Sequence, residues 1–363
     1  MKYLSLFSGI GGFELGIQLA YAILNNRPTG EEKQTCEVDK NCSNTSCEHS
    51  WEPPTCIGYS EIDKYATATY QSHFPEHKNY GDITKINEQE LPDFDMLVGG
   101  FPCQAFSIAG KRKGFEDTRG TLFFDIARII KAKQPRLIFL ENVKGLLSHD
   151  NGETFRTIIA TLDELGYDLQ WQVLNSKNHG VPQNRERVFI IGHLRGTSRP
   201  EVFPITGGIE QTGDDIKVIG TLETDGWEKR FEQIRRVHGT DGIVPTIPTG
   251  QGCGVMTKIA IREATKKGYA EATIGDSINL SVPNSKTRRG RIGNQIAQTL
   301  DTGMQQHTLT PDMKIRRLTP IECERLQGFP DNWTVGSDTQ RYKQCGNAVT
   351  VNVIRDIFIR GTL

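Results

Sequence analysis

The sequence predicts an α/β protein with a doubly wound, largely parallel sheet and a second, smaller domain made mostly of strands and loops. Three observations carry this prediction. Short apolar runs alternate with amphipathic segments of helix length through the first half of the chain. Between residues 196 and 310, glycine, threonine and proline become frequent and helical periodicity becomes poor. Helix signals return after residue 319.

The individual elements follow from the spacing of apolar residues and from helix start and stop signals. The predicted strands are residues 3–7, 57–61, 96–99, 137–140, 169–174 and 188–191. The predicted helices are residues 13–22, 65–73, 122–133, 154–165, 319–326 and 348–359. Gly166 ends the fourth helix, and Thr319, Pro320 and Glu322 form a capping box that opens the fifth. Strands separated by helices of this length predict right-handed βαβ units.

Composition limits the classes of function. The chain has 363 residues, with 43 Lys and Arg against 44 Asp and Glu and a net charge of −1. The length fits about two domains, and the charge excludes a globally polybasic nucleic-acid or membrane-surface binder while allowing a local basic groove. No apolar run reaches the roughly 20 residues of a membrane helix, and the start is too short and glycine-rich for a signal peptide. We therefore expect a cytoplasmic protein whose eight cysteines are thiols.

A glycine-rich turn, with Gly9, Gly11 and Gly12, follows the first predicted strand. Such a turn lets a ligand approach the backbone and the amino terminus of the next helix. Glu14 stands where the dinucleotide fingerprint has its third glycine, and an acidic side chain there would repel a pyrophosphate. A ligand with a positive charge and an amino-acid part, such as S-adenosylmethionine, fits better. An ordinary tight turn is the alternative interpretation.

Two acidic residues extend this ligand hypothesis. Glu61 ends the second predicted strand, where ribose hydroxyls are usually bound. Its distance from the glycine turn fits only if residues 25–56 form a surface insertion, which loop-closure entropy tolerates. Asp82 follows at the position where a third strand would present an acceptor to an adenine amino group.

A cysteine and a carboxylate follow two further strands. Cys103 comes after the third predicted strand and would face the crevice in which parallel sheets bind ligands, where a thiolate can act as a nucleophile. Glu141 ends the fourth, and a carboxyl group at low dielectric can carry a proton at neutral pH. Arg185 and Arg187 precede the last strand and can anchor a carboxylate or a phosphate. Each signal alone is weak, since a lone cysteine is more often core packing and an Arg-Glu-Arg run is more often a solvated pairing. Their order along one α/β chain carries the argument.

Taken in that order, the motifs resemble those of the DNA cytosine-5 methyltransferases, and of the bacterial type II restriction-modification enzymes in particular. The resemblance covers residues 3–192, apart from the insertion, and residues 316–352. The matching blocks are Leu6-Phe7-Ser8-Gly9-Ile10-Gly11-Gly12, Glu61-Ile62-Asp63, Gly81-Asp82-Ile83-Thr84, Gly100-Phe101-Pro102-Cys103-Gln104-Ala105-Phe106-Ser107, Glu141-Asn142-Val143, Gln183-Asn184-Arg185-Glu186-Arg187 and Gly346-Asn347-Ala348-Val349. The resemblance implies a Rossmann-like domain that binds S-adenosylmethionine and a smaller target-recognition domain.

The resemblance also implies a reaction. Cys103 would attack C6 of cytosine, while Glu141 would hold and protonate N3. C5 would take the methyl group of S-adenosylmethionine, and loss of the C5 proton with β-elimination would free Cys103. Arg185 and Arg187 would position Glu141 and the base, with Arg187 next to the ring. The implied cofactor contacts are Phe7, Gly9, Gly11, Glu61, Ile62, Asp82, Pro102, Leu122, Asn347 and Ala348.

The implied substrate is double-stranded DNA, from which the target base must be flipped out of the stack. Residues 104–121 carry glycines and a basic run, which predicts a lid that orders on DNA; a merely solvated basic loop is the alternative. Residues 244–250 and 297–303 are the candidate base-contact loops, weighed against ordinary turns. Because arginine forks match phosphate, Arg291 joins the phosphate candidates. The predicted DNA contacts are Gln104, Ser107, Lys111, Arg112, Lys113, Arg288, Arg289 and Thr299.

The resemblance divides the chain into four segments. We predict a catalytic domain over residues 1–195 with the insertion at 25–56, a target-recognition domain over 196–312, a hinge over 313–343, and a C-terminal helix over 344–363 that returns to the catalytic domain. We expect a monomer that works in a restriction-modification system beside a cognate restriction endonuclease, or as the modification enzyme of a phage or mobile element.

The insertion concentrates thiols in a short loop. Its metal-ligand types are Cys36, Cys42, Cys47, His49 and Cys56. Thiols in a loop without a core fit a structural zinc site. The spacing lacks a Cys-x2-Cys knuckle, so a disordered or otherwise packed loop stays open. We predict structural roles for the remaining three cysteines, Cys253, Cys323 and Cys345.

Three other functions compete. A transfer-RNA cytosine-5 methyltransferase would share the catalytic blocks, but residues 101–107 match the DNA enzymes better and the second domain is ample. A non-catalytic DNA-binding relative is disfavoured because all four predicted catalytic residues are present. A nicotinamide oxidoreductase is weakened by Glu14 and leaves Pro102-Cys103 unexplained.

Overall fold

The structure is a computed structural model that describes residues 1–25, 53–102, 122–198, 200–205, 218–221, 236–238, 258–282, 285, 287, 289–303, 305–312 and 314–361. Contacts between residues divide the chain into two compact units. Unit 1 comprises Met1–Leu174, Glu186–Ile205 and Ala348–Leu363. Unit 2 comprises Asn175–Arg185 and Thr206–Asn347.

The described residues form helices and strands in the following order. The strands are β1 (Lys2–Leu6), β2 (Thr55–Ser60), β3 (Met96–Gly100), β4 (Leu137–Val143), β5 (Tyr167–Asn175), β6 (Gln183–Asn184), β7 (Glu186–Leu194), β8 (Val218–Thr221), β9 (Arg236–His238), β10 (Ile259–Arg262), β11 (Tyr269–Ala272), β12 (Ser277–Asn279), β13 (Ile292–Gly293), β14 (Ala297–Gln298), β15 (Gln306–Leu309) and β16 (Ile315–Arg317). The helices are α1 (Gly12–Asn25), α2 (Lys64–His73), α3 (Leu122–Lys133), α4 (Glu153–Glu164), α5 (Pro320–Leu326), α6 (Asp338–Asn347) and α7 (Val351–Gly361).

Unit 1 is built on a six-stranded sheet of order β2-β1-β3-β4-β7-β5. Strands β2, β1, β3 and β4 pair in parallel, and β7 runs antiparallel to β4. Parallel neighbours need crossover connections, and α1, α2 and α3 lie in those connections along the chain. The carboxyl ends of the four parallel strands therefore share one edge of the sheet, where α/β proteins bind their ligands.

The sheet is apolar on both faces. Leu4 and Leu97 belong to one core cluster together with residues of α3 and α4. Their strand neighbours Tyr3 and Met96 belong to the other cluster, which includes residues of α1 and α7. Since successive strand residues point to opposite faces, each strand reads as a nearly continuous apolar run. Helices thus cover both faces, which is the doubly wound arrangement predicted from the sequence.

The C-terminal helix α7 packs against α1 in the core of unit 1. A Cβ atom added at Gly16 of α1 would lie 2.7 Å from Cβ of Ile354 in α7. Glycine at this position therefore permits a close approach of the two helices. The last described residues of the chain contribute to the same core as the first.

The segment Pro200–Ile205 stays with unit 1 because glutamine side chains of β5 bind its backbone. The amide of Gln170 accepts from Val202 N–H at 2.9 Å and donates to Pro200 O at 3.0 Å. Gln172 does the same for Ile205, with distances of 2.7 Å and 3.0 Å. With these bonds, this part of unit 1 extends to Ile205, about ten residues beyond the boundary at residue 195 expected from composition.

The described residues of unit 2 form short, mostly antiparallel strands and two α-helices. Its four-stranded sheet has the order β13-β12-β15-β16, and β10 pairs with β11. One apolar cluster of described residues lies among these strands and another around α5 and α6. A short parallel pair, β6 and β14, sets Ala297 opposite Gln183 and Gln298 opposite Asn184.

The predicted elements of unit 1 agree with the structure to within a few residues, and Leu122–Lys133 has the predicted bounds. The predicted strand 188–191 is longer, at Glu186–Leu194. Helix α6 was not predicted, because its sequence is polar and lacks an apolar stripe. In the part of the chain that the structure describes, no helix is long and apolar enough to cross a membrane.

Candidate active site

The glycine turn after β1 has a backbone that most side chains would disfavour. Phe7 and Gly9 both have φ of 54°, and Gly11 has φ of 88°. A Cβ atom at Gly11 would also lie 2.5 Å from the ring of Phe74. A non-glycine residue with positive φ costs on the order of 1 kcal/mol, so Phe7 marks a position where the fold imposes its conformation. The turn leads directly into α1, and the N–H groups of Ser8 and Gly11 within it donate to the carbonyls of Ser60 at 3.2 Å and Ser8 at 3.0 Å.

Glu61 is tied to this turn by its own carboxylate. Oε2 accepts the N–H of Gly9 at 2.9 Å, and Oε1 accepts those of Ile62 and Asp63 at 2.9 Å and 2.8 Å. The charged carboxylate is thus fixed beside the glycine turn. The next side chain, Ile62, is 76% exposed, which is unusual for a large apolar residue. A fixed carboxylate and an exposed isoleucine side by side suit a nucleoside with ribose hydroxyls and a flat base.

Asp82 occupies the loop after the second βα unit. The hydroxyl and N–H of Thr84 donate to its Oδ1 at 2.9 Å and 3.0 Å, and these bonds hold the pKa of Asp82 below its usual value. The preceding Gly81 is held by the Ser60 hydroxyl, which donates to its carbonyl at 2.6 Å. Asp82 is therefore a negatively charged hydrogen-bond acceptor on a loop that hydrogen bonds hold in place.

Glu14 does not face the ligand turn, and the charge argument built on it from the sequence was wrong. Its side chain is fully buried, and the hydroxyl of Tyr70 donates to its Oε1 at 3.0 Å. Tyr70 in turn shares a hydrogen bond of 2.9 Å with Nδ1 of His77. Burial raises the pKa of the Glu14 carboxyl. A carboxyl withdrawn into the core does not repel a pyrophosphate at the turn.

The predicted nucleophile, Cys103, lies outside the described residues, as do Gln104, Ser107, Lys111, Arg112 and Lys113. Described residues nevertheless fix the chain that leads to it. The side-chain amide of Asn142, which is 2% exposed, donates to the carbonyl of Phe101 at 2.9 Å. Pro102 follows and is exposed, and Leu122 at the start of α3 is half-buried.

Sequence reasoning missed the part played by Asn142. Its signal was present, since an asparagine inside an otherwise apolar strand must find hydrogen-bond partners when it is buried. Its Oδ1 also accepts the N–H of Val143 at 2.8 Å. Asn142 thus connects the strand end that carries Glu141 with the strand end that precedes Cys103.

Glu141 and Arg187 form an ion pair at the end of the sheet. Arg187 Nε lies 3.0 Å from Glu141 Oε1, and the side chains are 15% and 12% exposed, respectively. In the antiparallel register of β4 and β7, Val143 stands opposite Arg187. Glu141 lies two residues before Val143 on the same face of the sheet, so its side chain is a diagonal neighbour of Arg187. A Cβ atom on Gly100 would lie 3.0 Å from Glu141 Oε2. Glycine at residue 100 therefore leaves room for the carboxylate, which a guanidinium holds in place.

Arg185, predicted to act with Arg187, belongs to the other unit. It is 2% exposed, and its guanidinium donates to the carbonyls of Leu300 at 3.3 Å and Gly346 at 3.2 Å. The chain passes from unit 2 to unit 1 between Arg185 and Glu186. The two arginines of one sequence motif thus bind groups in different units, and the predicted role of Arg185 toward Glu141 stays a prediction.

The remaining predicted contacts are divided between the two units. Asn347 ends α6 in unit 2, and Ala348 is a buried residue of unit 1. In unit 2, Thr299 donates its hydroxyl to the carbonyl of Asn184 at 2.9 Å, and Arg289 Nε donates to that of Ala264 at 2.8 Å. Arg291 is buried rather than displayed on the surface, with its N–H bonded to Glu263 at 2.9 Å. Arg288 lies outside the described residues.

The cysteines that the structure describes are free thiols in buried or half-buried positions. Cys56 lies in β2, where burial raises the pKa of its thiol to about 12 and the thiol donates to Gly58 O at 3.3 Å. Cys323 and Cys345 are buried in the apolar cluster around α5 and α6, as expected for structural residues. The described ranges contain no group of three His, Cys, Asp or Glu residues that could hold a metal ion. The remaining members of the insertion cluster, and the third structural candidate, lie outside the described residues: Cys36, Cys42, Cys47, His49 and Cys253.

Comparison with known proteins assigns the family. Residues 1–360 match the family model of the C-5 cytosine-specific DNA methylases. The chain is 36% identical to the type II methyltransferase M1.ScrFI of Lactococcus lactis subsp. cremoris, over 98% of this chain and 76% of that protein. It is 34% identical to the type II methyltransferase M.HhaI of Haemophilus parahaemolyticus, over 98% of this chain and 93% of that protein.

Solved structures agree at the level of the fold. The structure is similar to that of the Dnmt2 methyltransferase of S. pombe, with a TM-score of 0.58, 17% sequence identity, and coverage of 99% of this chain and 97% of that chain. The α/β fold of this chain is therefore one found in a solved methyltransferase structure. With a family match over nearly its whole length and type II methyltransferases among its relatives, the chain belongs to the C-5 cytosine-specific DNA methylases and is a DNA methyltransferase.

Proposed function

We propose that this enzyme methylates C5 of one cytosine within a specific double-stranded DNA sequence, using S-adenosylmethionine, base flipping and a covalent bond from Cys103 to C6. The observation that carries the proposal is the Glu141–Arg187 ion pair at the carboxyl end of the sheet. It lies one strand away from the chain that leads to Cys103. A carboxyl group at the end of one strand, and a nucleophile three residues after the end of the adjacent strand in the sequence, can address two atoms of one pyrimidine ring.

Cys103 would begin the reaction. Its thiolate adds to C6, and the electron pair of the C5–C6 double bond becomes available at C5. Glu141, in its protonated form, hydrogen-bonds N3 and donates its proton there, which neutralises the negative charge that the thiolate brings to the ring and leaves C5 nucleophilic. Arg187 keeps the Glu141 carboxyl directed at the base. Asn142 supports both partners by fixing the carbonyl of Phe101 just before Pro102 and Cys103.

S-adenosylmethionine supplies a methyl group on a positively charged sulfur. The residues of the glycine turn fit this cofactor, since Glu61 is fixed for ribose hydroxyls, Ile62 is exposed beside it, and Asp82 is an anionic acceptor. Phe7, Gly9, Gly11, Pro102, Leu122, Asn347 and Ala348 complete the proposed contacts. After methyl transfer, a base removes the C5 proton, and the electrons of that bond expel the Cys103 thiolate from C6.

DNA would be bound by the predicted lid and by unit 2. A target base inside a duplex is out of reach of this chemistry, so the nucleotide must be flipped out at a cost of a few kcal/mol. We propose the lid residues Gln104, Ser107, Lys111, Arg112 and Lys113, together with Arg288, Arg289 and Thr299, as DNA contacts. A monomer with a cognate restriction endonuclease, as in type II systems, is the arrangement that we propose for the cell.

Bisulfite sequencing tests this function. The enzyme is expressed in a bacterial host that lacks cytosine-5 methylation, and the host genome is sequenced after bisulfite conversion. We expect protected cytosines at one position of one short sequence, and none with Cys103→Ser. Protection of cytosines in transfer RNA alone, or protection that survives Cys103→Ser, would contradict the proposal.

A further inference from the structure

Arg185 is a buried cation that joins two separate backbone segments of unit 2. Nη1 donates to the carbonyl of Leu300 at 3.3 Å, and Nη2 donates to the carbonyl of Gly346 at 3.2 Å. Leu300 directly follows Thr299, a proposed DNA contact. Gly346 directly precedes Asn347, a proposed cofactor contact. The guanidinium of Arg185 thus connects Leu300, the neighbour of a proposed DNA contact, with Gly346, the neighbour of a proposed cofactor contact.

The two segments are also in direct contact. A Cβ atom on Gly346 would lie 2.7 Å from the carbonyl carbon and oxygen of Asp301, and 2.9 Å from the nitrogen of Thr302. These neighbours are backbone atoms that cannot rotate away. The loop at Leu300–Thr302 and the turn at Gly346–Asn347 therefore pack with no free space between them. Packed interfaces shift as units rather than deforming freely. A displacement of the loop at Leu300 will therefore displace the turn at Gly346.

A second buried side chain, that of Gln183, holds the same loop, but its observed hydrogen bonds go to other partners than the turn at Gly346. Gln183 accepts the N–H of Leu300 at 3.0 Å and donates to the carbonyl of Leu326 at 2.8 Å. Both bonds anchor the loop to α5. Gln183 and Arg185 are two residues apart, and both side chains bind the backbone of Leu300. They provide a matched pair in which only Arg185 is observed to bind the turn.

We propose that Arg185 is a positioning residue that couples the DNA-recognition loop at Leu300 to the cofactor-binding turn at Asn347, so that DNA and cofactor each raise the affinity for the other. The proposal rests on the proposed function, because that function gives Thr299 and Asn347 their ligands. A guanidinium suits the task, since its planar fork can serve two acceptors at once. Filling one site fixes one carbonyl, and the guanidinium thereby favours the conformation that fills the other.

The test is a thermodynamic cycle on the full-length enzyme. The dissociation constant of S-adenosylhomocysteine is measured by calorimetry with and without a duplex that carries the sequence identified by bisulfite sequencing. The affinity for the duplex is then measured with and without S-adenosylhomocysteine. Thermodynamic linkage requires the two ratios to be equal. No turnover is needed, so the result does not depend on Cys103.

In the wild type we expect DNA to tighten cofactor binding at least about fivefold, the lower end of usual coupling. In Arg185→Gln this ratio should fall to near one. Arg185→Lys should keep part of it, since one ammonium group can reach one of the two carbonyls. Gln183→Met is the control, and it should lower thermal stability while keeping the wild-type ratio.

Three results would overturn the proposal. One is a wild-type ratio of one, which would leave no coupling to explain. Another is a wild-type ratio retained by Arg185→Gln, or by Arg185→Lys if the glutamine variant does not fold. The third is an equal loss of the ratio in Gln183→Met, which would make Arg185 a structural anchor only. Failure of the proposed function would show differently, as an absence of cofactor binding or of Cys103-dependent methylation.

Discussion

Replacing Gly100 by alanine should slow methyl transfer by displacing Glu141. Gly100 stands opposite Glu141 in the parallel register of β3 and β4. The added Cβ would lie 3.0 Å from Glu141 Oε2, whereas ordinary van der Waals contact begins at 3.4 Å. The carboxylate must therefore move by a few tenths of an ångström. It cannot move freely, because Arg187 Nε holds its other oxygen at 3.0 Å.

The size of the effect follows from the sensitivity of catalysis to geometry. A misplacement of about 1 Å can cost roughly 100-fold in rate, so a few tenths of an ångström should cost about three- to tenfold. The loss should appear in the single-turnover rate constant for methyl transfer at saturating DNA and cofactor. The melting temperature should change little, because the only close contact of the added methyl group is with the end of the Glu141 side chain, and Phe13 lies at an ordinary 4.0 Å.

Gly145→Ala is the matched control. A Cβ atom at Gly145 would have nothing within 4 Å, and the residue follows β4 just beyond Glu141. This variant should keep the wild-type rate. The reasoning fails if Gly100→Ala reacts within twofold of the wild type, or if Gly145→Ala is slowed as much as Gly100→Ala.

Three further predictions concern other contacts. Asn142→Leu removes the hydrogen bond to Phe101 O, so the rate of covalent trapping on DNA should fall at least about tenfold, while a normal rate in a folded variant would remove Asn142 from the mechanism. Gly16→Ala would place a Cβ atom 2.7 Å from a side-chain carbon of α7, so the free energy of unfolding in urea should fall by about 1–3 kcal/mol, with unchanged activity per folded molecule. Arg316 lowers the pKa of Glu322 to about 2 from 4.5, so this pair stabilises the fold above pH 4.5 and its contribution disappears as the pH falls toward 2. Discounted for solvent screening, Glu322→Gln should cost about 1 kcal/mol at pH 7, and urea titrations that show the same cost at pH 3 would contradict the assignment.

The sequence predicted secondary structure best where burial determines the pattern of apolar residues. In unit 1 the strands lie between two layers of helices, so they appear as apolar runs, and the predicted elements agree with β1 to β5 and α1 to α4 within a few residues. In unit 2 the strands are two to four residues long, and segments of that length show no measurable alternation. Helix α6 is polar along most of its length, so no apolar stripe marked it.

The candidate site residues were predicted by motif, whereas their contacts depend on tertiary structure. Nothing in the sequence around Glu14 shows that it turns into the core toward Tyr70. Nor does the spacing of Arg185 and Arg187 show that they serve different units, because side-chain direction along an extended segment does not identify the partner. From the sequence, Asn142 was recognisable only as a polar residue in a buried strand, and its bond to Phe101 was not. Residue types could be predicted, but their hydrogen-bond partners could not.

The central claim, covalent attack by Cys103 on C6, is tested most directly by trapping on DNA that contains 5-fluorocytosine. Fluorine at C5 cannot leave as a proton does, so the bond between enzyme and DNA should persist after methyl transfer. We expect a complex that resists denaturation, forms only when S-adenosylmethionine is present, and carries one DNA strand per protein. Cys103→Ser should form none. A wild-type enzyme that methylates ordinary DNA but gives no adduct on the fluorinated duplex, or an adduct that survives Cys103→Ser, would contradict the mechanism.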